Sequence, residues 1–226
     1  MLNKEGLGNM KKIAIILSGC GVYDGSEIHE SVLTMLAITE QGAQYRCFAP
    51  NINQYHVINH FTGEVDETQT RNVLVESARI ARGDIEDITE LVVDEFDALV
   101  LPGGFGAAKN LCDFAINNEN CTMQNDVLLA CQAFAAAKKP AGYICISPAM
   151  IALVYGQNSK GTIGTDSDIA AQLTAMGLQH VNCSVDNVVI DQTNKVISTP
   201  AYMLASNIGE AAQGINKLIK NLLEMI

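Results

Sequence analysis

The sequence predicts an α/β fold with a mostly parallel sheet, and three observations carry that reading. Ile13 to Leu17 (IAIIL), Phe96 to Pro102 (FDALVLP) and Ala141 to Ile144 (AGYI) are short apolar runs. Such runs, without polar alternation, mark strands buried on both faces of a parallel sheet. Each leads into a glycine- or proline-marked junction, and segments of helical spacing lie between them. At 226 residues the chain is long enough to bury the core of one such domain.

Composition narrows the function. A formal charge of -11 argues against nucleic-acid binding, which needs a basic face for phosphate contacts. No apolar run approaches membrane-spanning length. The seven cysteines form no C-x-x-C pair, so a disulfide scaffold or zinc site is not expected. With no signal-peptide pattern, this usage predicts a reducing cytoplasm. Residues 1–9 precede a second start-like Met10-Lys11-Lys12 and read as a leader or an upstream start. The folded domain is expected over residues 10–226.

The elements follow in order. After the first strand comes Ser18-Gly19-Cys20-Gly21-Val22-Tyr23-Asp24-Gly25. It is a poor dinucleotide loop, because the third glycine falls at Gly25 instead of three positions after Gly21. Ser26 is the expected N-cap of a helix running to Gln41 and stopped by Gly42. Ile28, Val32, Met35 and Leu36 are its expected core face. Glu27, Glu30 and Thr34 form another stripe, which is either solvated surface or aimed across the end of the first strand. Gln44 to Ala49 is a strand ended by Pro50. Asn51 to Thr70 is irregular, and its His56 and His60 lack a third ligand for a metal.

Asn72 to Ala81 reads as a helix, and Arg71, Arg79 and Arg82 face solvent or a partner. After the Phe96 strand, Gly103-Gly104-Phe105-Gly106 lets backbone N–H groups approach a ligand or an oxyanion closely. Asp126 to Ala137 is a helix. Gly161 to Asp168 is a turn-rich loop, and Ile169 to Met176 a short helix. Val188 to Ser198 reads as a hairpin turning near Thr193-Asn194, and Ser206 to Met225 as the last helix.

The stretch that organises the chemistry is Lys139 to Met150 (KPAGYICISPAM). Ser147-Pro148 opens a helical pattern from Ala149 to Val154, with Pro near the first turn. Cys145 therefore falls at a strand-to-helix elbow, where a nucleophile can be held at the sheet's C-terminal edge. A buried structural cysteine is the alternative.

Longer strings carry a resemblance. Ile16 to Glu30 (ILSGCGVYDGSEIHE), Thr70 to Leu74 (TRNVL), Pro102 to Asn110 (PGGFGAAKN) and Thr199 to Ala205 (TPAYMLA) resemble the ElbB family of the ThiJ/PfpI superfamily. The resemblance runs from Met10 to the C-terminus. It implies a flavodoxin-like sandwich of the class I glutamine-amidotransferase type, a homodimer, and a cofactor-free glyoxalase activity converting glyoxal to glycolate. It also implies a genetic link to isoprenoid production. Cys145 matches the superfamily's active cysteine. Glu30 takes the place of its partner acid, with Glu27 second. The oxyanion amides are expected from Gly103, Gly104 and Ile146. The peptidases of the superfamily place a His directly after the Cys, where this chain has Ile146. Thr165 or Asp166 stands where related deglycases have a later His. Cys20, in the first glycine loop, and His180 are secondary candidates.

The expected chemistry follows. A helix N-terminus adds about 0.3–1 kcal/mol and at best about 2, which leaves a free thiol with a pKa of about 7–8. A further stabiliser of the thiolate is needed, and a buried, protonated Glu30 would supply it. The thiolate would add to one aldehyde of a small dicarbonyl, with proton transfer by Glu30 through an enediol and no metal or cofactor. The alternative is a redox sensor in which Cys145 is oxidised to a sulfinic acid held by Glu30.

Overall fold

The structure is a computed structural model and describes residues 10–226. The expected leader, residues 1–9, lies outside the described residues. In order the chain forms β1 (Lys12–Ile16), α1 (Ile28–Glu40), β2 (Gln44–Ala49), α2 (Val73–Ile80), β3 (Ile85–Asp87), β4 (Ala98–Leu101), α3 (Phe114–Asn117) and α4 (Asn125–Ala136). There follow β5 (Ala141–Ile144), α5 (Ile151–Tyr155), β6 (Lys160–Gly161), α6 (Ser167–Ala175), β7 (Gln179–His180), β8 (Val189–Asp191), β9 (Val196–Thr199) and α7 (Ile208–Glu224). A seven-stranded sheet has the order β3-β2-β1-β4-β5-β9-β8. All neighbours in it are parallel except the antiparallel edge pair β8–β9. This is the α/β fold with a mostly parallel sheet that the apolar runs predict, in the flavodoxin-like, class I glutamine-amidotransferase-like form that the resemblance implies.

The unbroken apolar runs explain the layers. Successive side chains of a strand point to opposite faces. Ala14 and Ile16 enter one core with Leu99, Leu101, Tyr143 and Phe134. Ile13 and Ile15 enter the other with Val100, Ile144, Ile197 and Leu218. Both faces of the central strands are thus covered, as parallel sheets require.

The strands are added to one side of β1 as β2 and β3 and then to the other as β4 and β5, and this switch beside β1 leaves a crevice at the carboxyl ends of the strands. Ligands bind open α/β sheets at such a switch point. The glycine segments after β1 and β4 interlock there. The Gly106 N–H donates to Gly25 O at 2.8 Å and the Glu27 N–H to Gly103 O at 2.9 Å. A side chain on Gly104 or Gly106 would collide with backbone of the segment after β1, and one on Gly25 with the Gly19-Cys20 backbone of its own segment. The first glycine motif is therefore a packing device, which accounts for its poor match to a nucleotide loop.

Helix α1 departs from the expected orientation. Of the predicted core face only Met35 is buried, while Ile28, Val32 and Leu36 are 42, 49 and 49% exposed. The buried side holds Glu30, Ser31, Thr34, Ala37 and Ile38 instead. Apolar spacing misleads here because the face carrying Glu30 is turned in toward the crevice. Its N-cap is Glu27, not Ser26, whose hydroxyl accepts the Ser18 N–H at 2.8 Å. The helix expected after Cys145 is a 3-10 turn, Ser147–Met150, followed by the five residues of α5. Strands β3, β6 and β7 carry no run long enough to read from sequence.

Leu218, fully buried on α7, packs against Gly142 of β5. Leu218→Ala should lower unfolding free energy by about 2–5 kcal/mol, read from guanidinium midpoints.

Candidate active site

Four neighbouring strands deliver the site. The chain leaving β1 leads to Glu27 and Glu30, β4 ends at Gly103 and Gly104, β5 ends at Cys145, and β9 leads to Tyr202. Cys145 has φ 63, the left-handed region that non-glycine residues rarely occupy. That turn presents the thiol outward from the end of β5 while its N–H stays bonded to Thr199 O at 3.0 Å. Ala201, beside Tyr202, is also left-handed, with φ 43. Two strained residues at one sheet edge point to a functional site.

The Glu30 carboxyl is fully buried and meets the Cys145 thiol. Its Oε2 accepts the Gly103 N–H at 2.9 Å and its Oε1 accepts the Tyr202 N–H at 3.1 Å. Glu27 Oε2 accepts the Glu30 N–H at 2.6 Å, which caps α1 and fixes the first turn. Only a glycine fits at 103, because a side chain there would overlap the Cys145 Cβ and lie 2.7 Å from Glu30 Oε2. The N–H groups of Gly104 and Ile146 face the Cys145 sulfur.

Gly103 is thereby corrected. Its N–H is committed to Glu30, so it orients the acid and is not free as an oxyanion donor, whereas those of Gly104 and Ile146 face the sulfur. The expected thiolate stabilised by a protonated Glu30 is corrected as well. Burial, then the charge of Glu30, push the Cys145 thiol well above its ordinary value. Burial, then the charge of Glu27, raise Glu30 to about 8 against the opposing Tyr202, Cys145 and Gly103 hydrogen bonds. At neutral pH both groups therefore hold their protons for most of the time. Two charges cannot coexist there, so the first ionisation belongs to the pair.

The remaining candidates do not join them. Cys20 sits among the charges of Glu76, Arg79, Asp24 and Arg71. Thr165 and Asp166 are exposed, and Asp166 serves as N-cap of α6. His180 accepts the Ile163 N–H at Nε2 at 3.2 Å. Among the described residues no group of three or more His, Cys, Asp or Glu is placed to hold a metal. Of the arginines read as facing solvent or a partner, Arg79 and Arg71 pair with Glu76 at 2.8 and 4.0 Å. Sequence reasoning missed the role of Tyr202: its N–H is a backbone group, invisible in residue type. Its ring is held by His29, with Nδ1 and the hydroxyl 2.8 Å apart. Cys145, Glu27, Gly104, Ile146 and Tyr202 open onto one cavity of ≈ 360 Å³.

The chain is 40% identical over 223 residues to the rat protein named ES1 protein homolog, mitochondrial, covering 95% of this chain and 84% of that one. The chain belongs to the ElbB/ES1 family. The human glutamine amidotransferase-like class 1 domain-containing protein 3, mitochondrial, is a further member, 39% identical over 95% of this chain and 83% of its own. A crystal structure of an isoprenoid biosynthesis protein with an amidotransferase-like domain from Ehrlichia chaffeensis superposes with TM-score 0.89 at 40% identity. It covers 95% of this chain and 99% of that one. Drosophila melanogaster DJ-1β shares the fold, with TM-score 0.55 at 17% identity over 94% of this chain and 90% of its own. No family model matches the chain. The naming of these ES1 relatives as mitochondrial proteins overturns the cytoplasmic expectation, which rested on cysteine usage and the lack of a signal-peptide pattern. An unpaired thiol needs only a reducing compartment and does not say which one.

A carboxyl whose pKa is raised in the folded state binds its proton more tightly there than in the unfolded chain. The stability this supplies is complete below the unfolded value near 4.5 and is lost as pH rises through about 8. Relative to Glu30→Gln, the wild-type protein should therefore lose about 1.4 kcal/mol per pH unit between pH 5 and 8. Denaturant midpoints of the two proteins across that range check it.

Proposed function

We propose that the protein is a cofactor-independent glyoxalase that converts a 2-oxoaldehyde such as glyoxal to the 2-hydroxy acid, glycolate. The observation that carries this reading is the buried Glu30 carboxyl, which burial raises to about 8, held against a thiol on a strained elbow. A group titrating near the working pH can both take and give protons.

In the form in which Glu30 is ionised, Cys145 Sγ attacks the aldehyde carbon and the thiol proton passes by way of Glu30 to the forming alkoxide, which leaves Glu30 ionised. The hemithioacetal oxygen lies against the amides of Gly104 and Ile146. The ionised Glu30 then removes the proton from the former aldehyde carbon, giving an enediol. It returns that proton to the neighbouring carbon. The first carbon is now at the oxidation level of a thioester and the second has become an alcohol. Water hydrolyses the thioester, releasing glycolate and the thiol. The redox change is internal to the substrate, so the sequence balances with water alone. The initial thiolate forms only during the attack, which suits a thiol that burial keeps protonated.

The sensor reading is the weaker of the two. Oxidation to a sulfinic acid starts from an accessible thiolate. Cys145 is 7% exposed and its thiol is pushed up. Peptidase or glutaminase chemistry lacks its imidazole, since no histidine lines the Cys145 cavity among the described residues.

Cys145→Ser should abolish glycolate formation from glyoxal by the purified protein. Glu30→Gln should reduce kcat by about 10²–10⁴-fold. Wild-type-like turnover in the Cys145 variant would end the proposal. A two-oxygen mass gain at Cys145 after mild peroxide, with no saturable glyoxal kinetics, would favour the sensor instead.

A further inference from the structure

One wall of the Cys145 cavity is a surface segment whose two ends each carry a cysteine. Between Cys112 and Cys121 the chain makes α3 and a 3-10 turn, Asn118–Asn120. Phe114, Ala115 and Asn118 of this segment line the cavity. Its ends run antiparallel. Cys112 bridges Met123, the Asp113 N–H donates to Thr122 O at 3.0 Å, and the Gln124 N–H donates to Leu111 O at 2.9 Å. Cys112 and Cys121 are both extended in backbone. Residues two apart on an extended end share a face, so Cys121 lies on the face of Met123, diagonally across from Cys112.

There the two thiols meet, each the side-chain hydrogen-bond partner of the other. Both are free and buried, in one core cluster. They differ in acidity. The hydrogen bond from Cys112, ahead of burial, draws Cys121 below an ordinary thiol. The same bond, then burial, push Cys112 well up. Residues 115–120 are exposed and lead directly to Cys121, so a small oxidant has one surface turn to pass. Oxidation follows thiolate character and access, and it is reversible where a second thiol waits beside the first.

We propose that Cys112 and Cys121 are a site of reversible oxidation by a hydroperoxide, forming a disulfide that staples the Phe114 and Asn118 wall against the Cys145 cavity. The Cys121 thiolate attacks one peroxide oxygen, the O–O bond breaks, and the leaving oxygen departs as water. Cys121 is then a sulfenic acid. The Cys112 sulfur displaces its hydroxyl, which leaves as a second water with the Cys112 proton. Two thiols have lost two electrons to one hydrogen peroxide, and a dithiol reductant returns them. Closing the bond draws the sulfurs to about 2.0 Å. That tightens the base of the segment, which Asp113 already ties through the Thr122 N–H at 2.5 Å and Asn117 Nδ2 at 2.7 Å. The held wall narrows the approach to Cys145 past Phe114. The inference is independent of the glyoxalase reading.

The full chain, treated with hydrogen peroxide while folded, is alkylated under denaturing conditions and mapped by mass. A linked pair of Cys112 and Cys121 peptides, lighter by two hydrogens and released by dithiothreitol, is expected. In Cys112→Ser, dimedone should trap a sulfenic acid at Cys121. In Cys121→Ser, adduct at Cys112 should form at least tenfold more slowly. Labelling of Cys145 by a bulky maleimide should fall several-fold in the oxidised wild type and stay unchanged in peroxide-treated Cys112→Ser. No Cys112–Cys121 link, or pairing of either with another cysteine, would overturn the site. Equal Cys145 labelling in the reduced and oxidised wild type would overturn the staple.

Discussion

One buried space holds two ionisable groups and tolerates one charge. Glu30 and Cys145 share it, and the rest of the site follows from keeping that charge in reach without fixing it on either atom. Gly103 and Tyr202 each donate one backbone N–H to the acid, which lowers its pKa from where burial alone would set it. Gly104 and Ile146 direct N–H groups at the sulfur. These are fixed dipoles delivered by strand ends, so they need no reorganisation when charge moves between the two groups. Glu27 holds α1 in register by capping it and pushes Glu30 upward by its own charge.

The cost of this arrangement is visible elsewhere in the fold. Cys145 and Ala201 sit in a backbone region that costs on the order of 1–3 kcal/mol per non-glycine residue. Helix α1 presents Ile28, Val32 and Leu36 outward so that Glu30 and Thr34 face in. The glycine segments after β1 and β4 pack backbone on backbone, which brings Glu27 to Gly103. A two-layered core with both faces of the central strands fully buried absorbs these local losses.

Much of this was legible in the amino-acid sequence. The parallel sheet follows from unbroken apolar runs, and the hairpin of β8 and β9 from its turn residues. The elbow follows from the apolar run ahead of Cys145 and the Ser147-Pro148 pair after it. The pairing of Glu30 with Cys145 came from the resemblance, since spacing alone left Glu27 and Glu30 equal. What stayed hidden was carried by the backbone. Sequence shows that Gly103 is a glycine, but not that its N–H turns to Glu30 instead of a substrate. The same holds for the Tyr202 N–H and for the short α5. The inverted face of α1 misled because hydrophobic periodicity reports burial only where function does not claim the buried face.

The shared charge is tested most directly by infrared difference spectroscopy of wild type against Glu30→Gln as pH is varied. At pH 6 the account predicts a carboxylic-acid C=O band that belongs to Glu30 and that disappears with a midpoint of about 8. A carboxylate band already present at pH 6, with a midpoint of about 4–5 as in an ordinary glutamate, would contradict it.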